Sequence, residues 1–117
     1  MRNMSFAMTT GAILERRKTV TRRFGWWFLK PGDLVQPVDR CMGLKHGEHP
    51  VRLGGPIRIV STRSEWLSCI TQEDCIKEGF PLLSPREFIE MLGRHYGCDS
   101  KKTCNRIEFE YVIEGEK

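Results

Sequence analysis

The densest concentration of chemically active side chains is Arg16-Arg17-Lys18-Thr19-Val20-Thr21-Arg22-Arg23. Arginine forks bind phosphate or carboxylate bidentately, and lysine is a compact charge whose pKa shifts readily on burial. A threonine hydroxyl beside such a base is a hydrogen-bonding group or, once deprotonated, a nucleophile. Trp26 and Trp27 follow at once. Cations interleaved with aromatics suit single-stranded nucleic acid, whose bases stack while its phosphates are neutralised. On this reading Arg17, Lys18, Arg22, Arg23, Trp26, Trp27 and Lys30 form a candidate nucleic-acid surface. The plainer reading makes the tryptophans core and the arginines a solvated face. Two consecutive tryptophans in a strand point to opposite faces, so one at most enters the core.

The charge distribution singles out the same stretch. The chain has 117 residues and a formal net charge of +4. Residues 1–30 carry seven basic residues against Glu15 alone, while residues 31–117 carry 12 basic and 14 acidic ones. A basic segment so localised points to an anionic partner. Length and composition describe one globular domain over residues 1–117, able to remove roughly 65% of its unfolded surface from water. No apolar run approaches the ~20 residues of a membrane helix, and Met4–Met8 is too short for a secretory signal core. A cytoplasmic location is therefore expected, with the five cysteines as free thiols. Cys41, His46 and His49 share a loop, and His95, Cys98 and Cys104 lie close in sequence. Neither group has C-x-x-C spacing, so neither a metal nor a cofactor is expected.

The elements that must position these residues read as follows. Met4–Met8 opens as a strand, and Thr9 or Thr10 caps a short helix that gives way before Thr19. Lys30-Pro31-Gly32-Asp33 is a tight turn, followed by a strand over Leu34–Val38 that ends near Pro37. Six glycines and prolines mark residues 41–56 as a long loop. Ile57–Thr62 is a strand, and Trp66–Ile70 continues the sheet. Thr71 caps a helix through Lys77, with Gly79 just past its end. Ser84, Pro85 and Glu87 form a capping box that opens the clearest helix, ended by Gly93 or Gly97. Residues 106–113 alternate apolar with charged, as a half-buried strand does. This order predicts an α+β domain, a small mixed β-barrel with flanking short helices.

Four short motifs in this order resemble the ASCH domain family. They are Lys18-Thr19-Val20-Thr21-Arg22, Lys30-Pro31-Gly32-Asp33, Ile70-Thr71-Gln72-Glu73-Asp74 with Glu78-Gly79-Phe80, and Ile107-Glu108-Phe109. The resemblance spans about residues 5–112. It implies a PUA-like barrel with an RNA- or nucleotide-binding cleft beside it. Some members of the family are amidohydrolases acting on acetylated cytidine, and a ribonuclease activity is attributed to others. In the amidohydrolases a Lys and a Thr of the K-T-x-T segment act with a Glu, which by motif implies Lys18, Thr21 and Glu78 as catalytic residues here. Those members have Gly where this chain has Arg17, and an acidic residue after the Arg, where this chain has Arg22-Arg23-Phe24. Phage-borne members with K-T-x-T-R-R are the more similar. The leading expectation is therefore binding of RNA or a modified nucleoside in a basic cleft. Amide hydrolysis is the alternative, and a ribonuclease or a protein-interaction adaptor stands behind it. Lys18 and Thr21 face opposite sides of a regular strand, so the catalytic reading requires a turn or bulge between them.

Overall fold

The computed structural model describes residues 1–113, so the last four residues of the expected domain lie outside it. Five strands form one mixed sheet: β1 (Arg2–Ser5), β2 (Val20–Arg23), β3 (Leu34–Val38), β4 (Ile57–Trp66) and β5 (Thr103–Tyr111). Their spatial order is β1-β3-β4-β5-β2, with β1 parallel to β3 and the other pairs antiparallel. Three helices complete the fold: α1 (Thr10–Leu14), α2 (Gln72–Lys77) and α3 (Pro85–Tyr96). The α+β class agrees with the sequence reading. The barrel does not close, because β1 and β2 stay unpaired at the two ends of the sheet. Where a closing ladder would run, the Arg23 side chain donates from Nη2 to the Ser5 carbonyl at 2.6 Å.

Several elements differ from expectation. The opening strand stops at Ser5, and a 3₁₀ turn over Ala7–Thr9 takes its place. Trp66 ends β4, and Leu67–Cys69 is another 3₁₀ turn rather than more sheet. The closing strand runs over Thr103–Tyr111 instead of 106–113. Pro37 sits inside β3, where it faces Met4 of β1, and the β3–β4 ladder is confined to Leu34 and Val35 of β3. The missing Pro N–H therefore breaks no pairing with β4.

The tryptophan pair shows the largest departure. Trp26 and Trp27 lie in a turn after β2, and Trp26 takes a left-handed backbone (φ 62°). A bulky residue there is strained, and the neighbours hold it in place. Asn105 donates from Nδ2 to the Trp26 carbonyl at 3.1 Å, and the Leu29 N–H donates to that same oxygen at 3.1 Å. Trp26 packs half-buried against the main core, and Trp27 is 54% exposed.

Two buried clusters hold the fold. One gathers Phe6 and Ile13 with Ile57, Ile59, Ile107 and Phe109 of the sheet. The other joins Leu67 and Ile70 to Cys75 of α2 and to Phe88 and Leu92 of α3. The capping box starts α3 as expected, with Ser84 Oγ accepting from the Glu87 N–H and the Glu87 carboxylate accepting from the Ser84 N–H. Gly97 in the left-handed region ends it.

Gly79 ends α2 in the same conformation (φ 95°), and a Cβ there would come within 2.9 Å of the Ala12 Cβ. The Gly79 and Phe80 N–H groups close the helix by donating to the Ile76 and Cys75 carbonyls. Strain and contact therefore act together. Gly79→Ala should lower the unfolding free energy by about 2 kcal/mol, read as a shifted midpoint in urea denaturation with an unchanged m-value. An unchanged midpoint would refute the packing argument.

Candidate functional site

Two helix ends bring the K-T-x-T segment to its partner. Arg16 adopts a left-handed backbone (φ 59°) just after α1. Its N–H donates to the Ile13 carbonyl, and the Arg17 N–H donates to the Ala12 carbonyl. This closure, a Schellman motif, turns the chain so that Lys18 enters the interior. The Tyr111 hydroxyl then donates to the Lys18 carbonyl at 2.6 Å, and the Thr19 N–H donates to the Lys77 carbonyl at 2.8 Å. Regular pairing begins only at Val20. Lys18 and Thr19 thus precede the strand, and Thr21 lies within it.

Lys18, Thr21 and Glu78 are each 3% exposed and line the same cavity. Lys18 Nζ donates to the Glu78 carbonyl at 2.6 Å and to Glu78 Oε1 at 2.9 Å. Glu78 is the C-cap of α2, so the ammonium sits on an otherwise orphan carbonyl at the negative end of the helix. Burial lowers the Lys18 pKa, and the Glu78 carboxylate opposes that shift. The Thr21 hydroxyl accepts from Arg23 Nε at 3.0 Å. Among the described residues no hydrogen bond joins Lys18 to Thr21.

Register explains which way the neighbouring side chains turn. Thr21 lies opposite Ile107 and Arg22 opposite Arg106 on β5. Thr21 and Arg23 therefore share the face of Ile107, while Arg22 shares that of Arg106. The two arginines on that second face meet Asp74 of α2. Arg106 grips Asp74 with two hydrogen bonds, at 2.7 and 2.9 Å, and Arg22 donates to the same carboxylate. Arg22 also donates to Glu65 at 2.8 Å and to Glu78 at 3.2 Å. Three cations (Lys18, Arg22, Arg106) thus face three carboxylates (Glu65, Asp74, Glu78). Arg22 Nε is the one buried polar side-chain atom without a partner among the described residues. Hydrogen bonds from Arg106 and Arg22 hold the Asp74 carboxyl well below its ordinary value, despite burial. For Arg22, burial opposes the charge, but Asp74, Glu78 and Glu65 together raise its pKa.

The cavity has a volume of about 500 Å³. Phe6, Trp26, Phe80 and Tyr96 supply aromatic wall, and Lys18, Thr21, Arg23 and Glu78 supply polar groups. The seven residues of the candidate nucleic-acid surface divide here. Lys18, Arg22, Arg23 and Trp26 line the cavity. Arg17 is exposed and paired with Glu15 at 2.8 Å, and Trp27 and Lys30 are exposed away from the cavity wall. The basic segment is therefore no continuous exposed track. Sequence reasoning missed the ion-pair partners Glu65, Asp74 and Arg106, whose positions 43 to 84 residues beyond Arg22 carry no local signal. It also missed the α3 contribution of Met91, His95 and Tyr96 to the cavity. Among the described residues no three His, Cys, Asp or Glu side chains gather as a metal's ligand set, and no helix is long and apolar enough to cross a membrane.

Two solved structures share this architecture. One is the crystal structure of protein EF3133 from Enterococcus faecalis V583, assigned to family DUF984. It aligns with 95% of this chain and 75% of its own, at a TM-score of 0.60 and 16% identity. The other is an ASCH domain from Lactobacillus crispatus JV V101, aligned over 93% of this chain and 77% of its own, at a TM-score of 0.57 and 15% identity. No protein-family model and no curated protein matches the sequence. The fold is that of the ASCH domain, as the motifs implied.

The depressed Asp74 pKa has a direction in stability. A carboxyl whose pKa is lowered by folding stabilises the native state above its unfolded pKa, and the contribution is lost as pH falls through the folded value. Glu65 shifts the same way, as burial is outweighed by its bonds to Arg22 and Arg63. The unfolding free energy should therefore decline below about pH 4. Asp74→Asn should be less stable at pH 7 and should show a shallower acid dependence, as measured by denaturant titration across pH 2.5–7. An unchanged slope would remove Asp74 from the acid-labile set.

Proposed function

We propose that this ASCH-fold chain binds one nucleotide unit at a time in the cavity beside β2. The observation that carries this reading is the cavity's make-up: about 500 Å³ with aromatic wall on Phe6, Trp26 and Tyr96 and polar groups on Lys18, Thr21, Arg23 and Glu78. Ligand sites of this kind span roughly 300–1,000 Å³ and are mostly apolar with a few fixed polar groups. A base stacks on an aromatic face whatever its identity, and its edge hydrogen-bonds to polar side chains. The pairing of Arg17 and the enclosure of Arg22 argue against a long electrostatic groove. RNA would enter through one unstacked base. A protein-interaction adaptor has no specific observation in its favour.

Amide hydrolysis is the second reading, favoured by the placement of Lys18, Thr21 and Glu78 on one cavity and by the lowered Lys18 pKa. Neutral Lys18 would take the Thr21 hydroxyl proton as the oxygen attacks the amide carbonyl. The proton taken up by Lys18 would pass through the Glu78 carboxylate to the departing amine as the C–N bond breaks. Water would then cleave the acyl-threonine ester, giving one proton to Lys18, which returns it to Thr21 Oγ1, while the acid leaves with the other. Thr21 Oγ1 accepts from Arg23 and has no hydrogen bond to Lys18 among the described residues, which is why binding ranks first.

Isothermal titration tests the binding. Nucleosides or their monophosphates should bind with one site, and Trp26→Ala should weaken them about tenfold, in line with the ~1–3 kcal/mol of one base–aromatic stack. A single-stranded RNA octamer should gain little over the monomer unit. Affinity that climbs steeply with strand length, with a matching salt slope, would instead describe a groove.

Hydrolysis has its own assay, with N4-acetylcytidine as substrate and cytidine and acetate followed by mass spectrometry. If the chain turns the substrate over, Thr21→Val should abolish product, since it removes the nucleophile with little change in shape. Absence of turnover by the parent protein, or product formation that survives Thr21→Val, ends the threonine mechanism.

A further inference from the structure

The charges around the cavity are paired with one exception. Lys18 is matched by Glu78, Arg22 by Asp74 and Glu65, and Arg40 at the rim by Glu48 at 2.9 Å. Arg23, the remaining cation of the wall, has no carboxylate within ion-pair distance among the described residues. Its fixed contacts are neutral: Nε donates to Thr21 Oγ1 at 3.0 Å and Nη2 to the Ser5 carbonyl at 2.6 Å. The guanidinium carbon lies 4.7 Å from the centre of the Phe6 ring. Burial lowers the Arg23 pKa, as it does for a cation without a matching anion at hand. A guanidinium offers five N–H donors in a planar fork, and these contacts use two of them. Nη1 takes part in neither bond and is not a sealed-off atom, so its two donors remain for a ligand.

We propose that Arg23 is the anchor for a phosphate group on the ligand, so that the cavity takes nucleoside monophosphates in preference to nucleosides. This rests on the nucleotide-binding reading above and adds the substrate class. The physical grounds are threefold. An oxyanion supplies the counter-charge that every other cation of the wall already has. The fork is immobilised before binding by Thr21, Ser5 and Phe6, so little side-chain entropy is lost when the anion arrives. Charge-assisted bidentate contacts are the strongest that a guanidinium makes, and phosphate geometry matches them.

The experiment compares the four common ribonucleosides with their 5′-monophosphates on the full chain by isothermal titration, with inorganic phosphate as a third probe. The monophosphates should bind about ten- to a hundredfold more tightly than the matching nucleosides, the range of a charge-assisted hydrogen bond. Arg23→Gln should bring the ratio of monophosphate to nucleoside affinity down to about one. Inorganic phosphate should compete with the monophosphate at millimolar concentration and should not displace a nucleoside. Should Arg23→Gln fail to fold, the parent protein still decides the matter. Raising salt from 50 to 500 mM should weaken the monophosphates and spare the nucleosides. Equal affinity for nucleosides and monophosphates overturns the phosphate assignment and leaves the cavity reading standing. A preference that survives both Arg23→Gln and high salt places the phosphate elsewhere and also overturns it. Binding of neither class overturns the cavity reading itself, and the phosphate assignment with it.

Discussion

The fold turns on one long-range contact, the buried Lys18 ammonium held between the carbonyl and the carboxylate of Glu78. An ammonium out of water costs several kcal/mol unless it is fully bonded. Here it is bonded twice by a single residue at the negative end of a helix. The contact ties the segment leaving α1 to the end of α2, sixty residues later, and backbone bonds from Thr19 to Lys77 and from Phe109 to Thr19 lie beside it. Geometry at both ends is set by left-handed residues, Arg16 on one side and Gly79 on the other. The lysine therefore has a structural role before it has a chemical one. Any proton it yields in a reaction also weakens the clasp that holds the site together.

The rest of the electrostatics follows from that contact. Glu78 is shared with Arg22, which is shared with Asp74, which is shared with Arg106. With Glu65 the network spans β2, β4, β5 and α2, and Arg63 reaches Glu65 from outside. Removing one carboxylate would leave cations facing each other in a nearly dry interior, which costs far more than the pair contributes in place. Thr21 and Arg23, on the opposite face of β2, stand outside this set of ion pairs.

How much of this can be read from residues alone depends on the range of the interaction. The capping box at Ser84, the Thr71 cap and the glycine after α2 are local chemistry, and all three stand where the pattern puts them. Lys18 of the K-T-x-T segment meets Glu78 at 2.9 Å. What the sequence hides is partnership across distance. Arg22 reads as a free cation until Asp74 and Glu65 are brought to it, because nothing near residue 22 in the chain is acidic. Trp26 reads as strand until Asn105 pins its carbonyl in a turn that its own side chain disfavours. Closure of the barrel is equally invisible, since it depends on whether two four-residue edges reach one another.

That open edge bears on where a ligand sits. The cavity is bounded on one side by residues of β1 and the turn after it, and on another by β2, and those two strands are linked by a side chain instead of a ladder. No backbone pair of the sheet crosses between them among the described residues. A ligand held by Arg23 would therefore sit at the seam where the two ends of the sheet meet through side chains, Arg23 on Ser5 and Phe6, and not through a ladder.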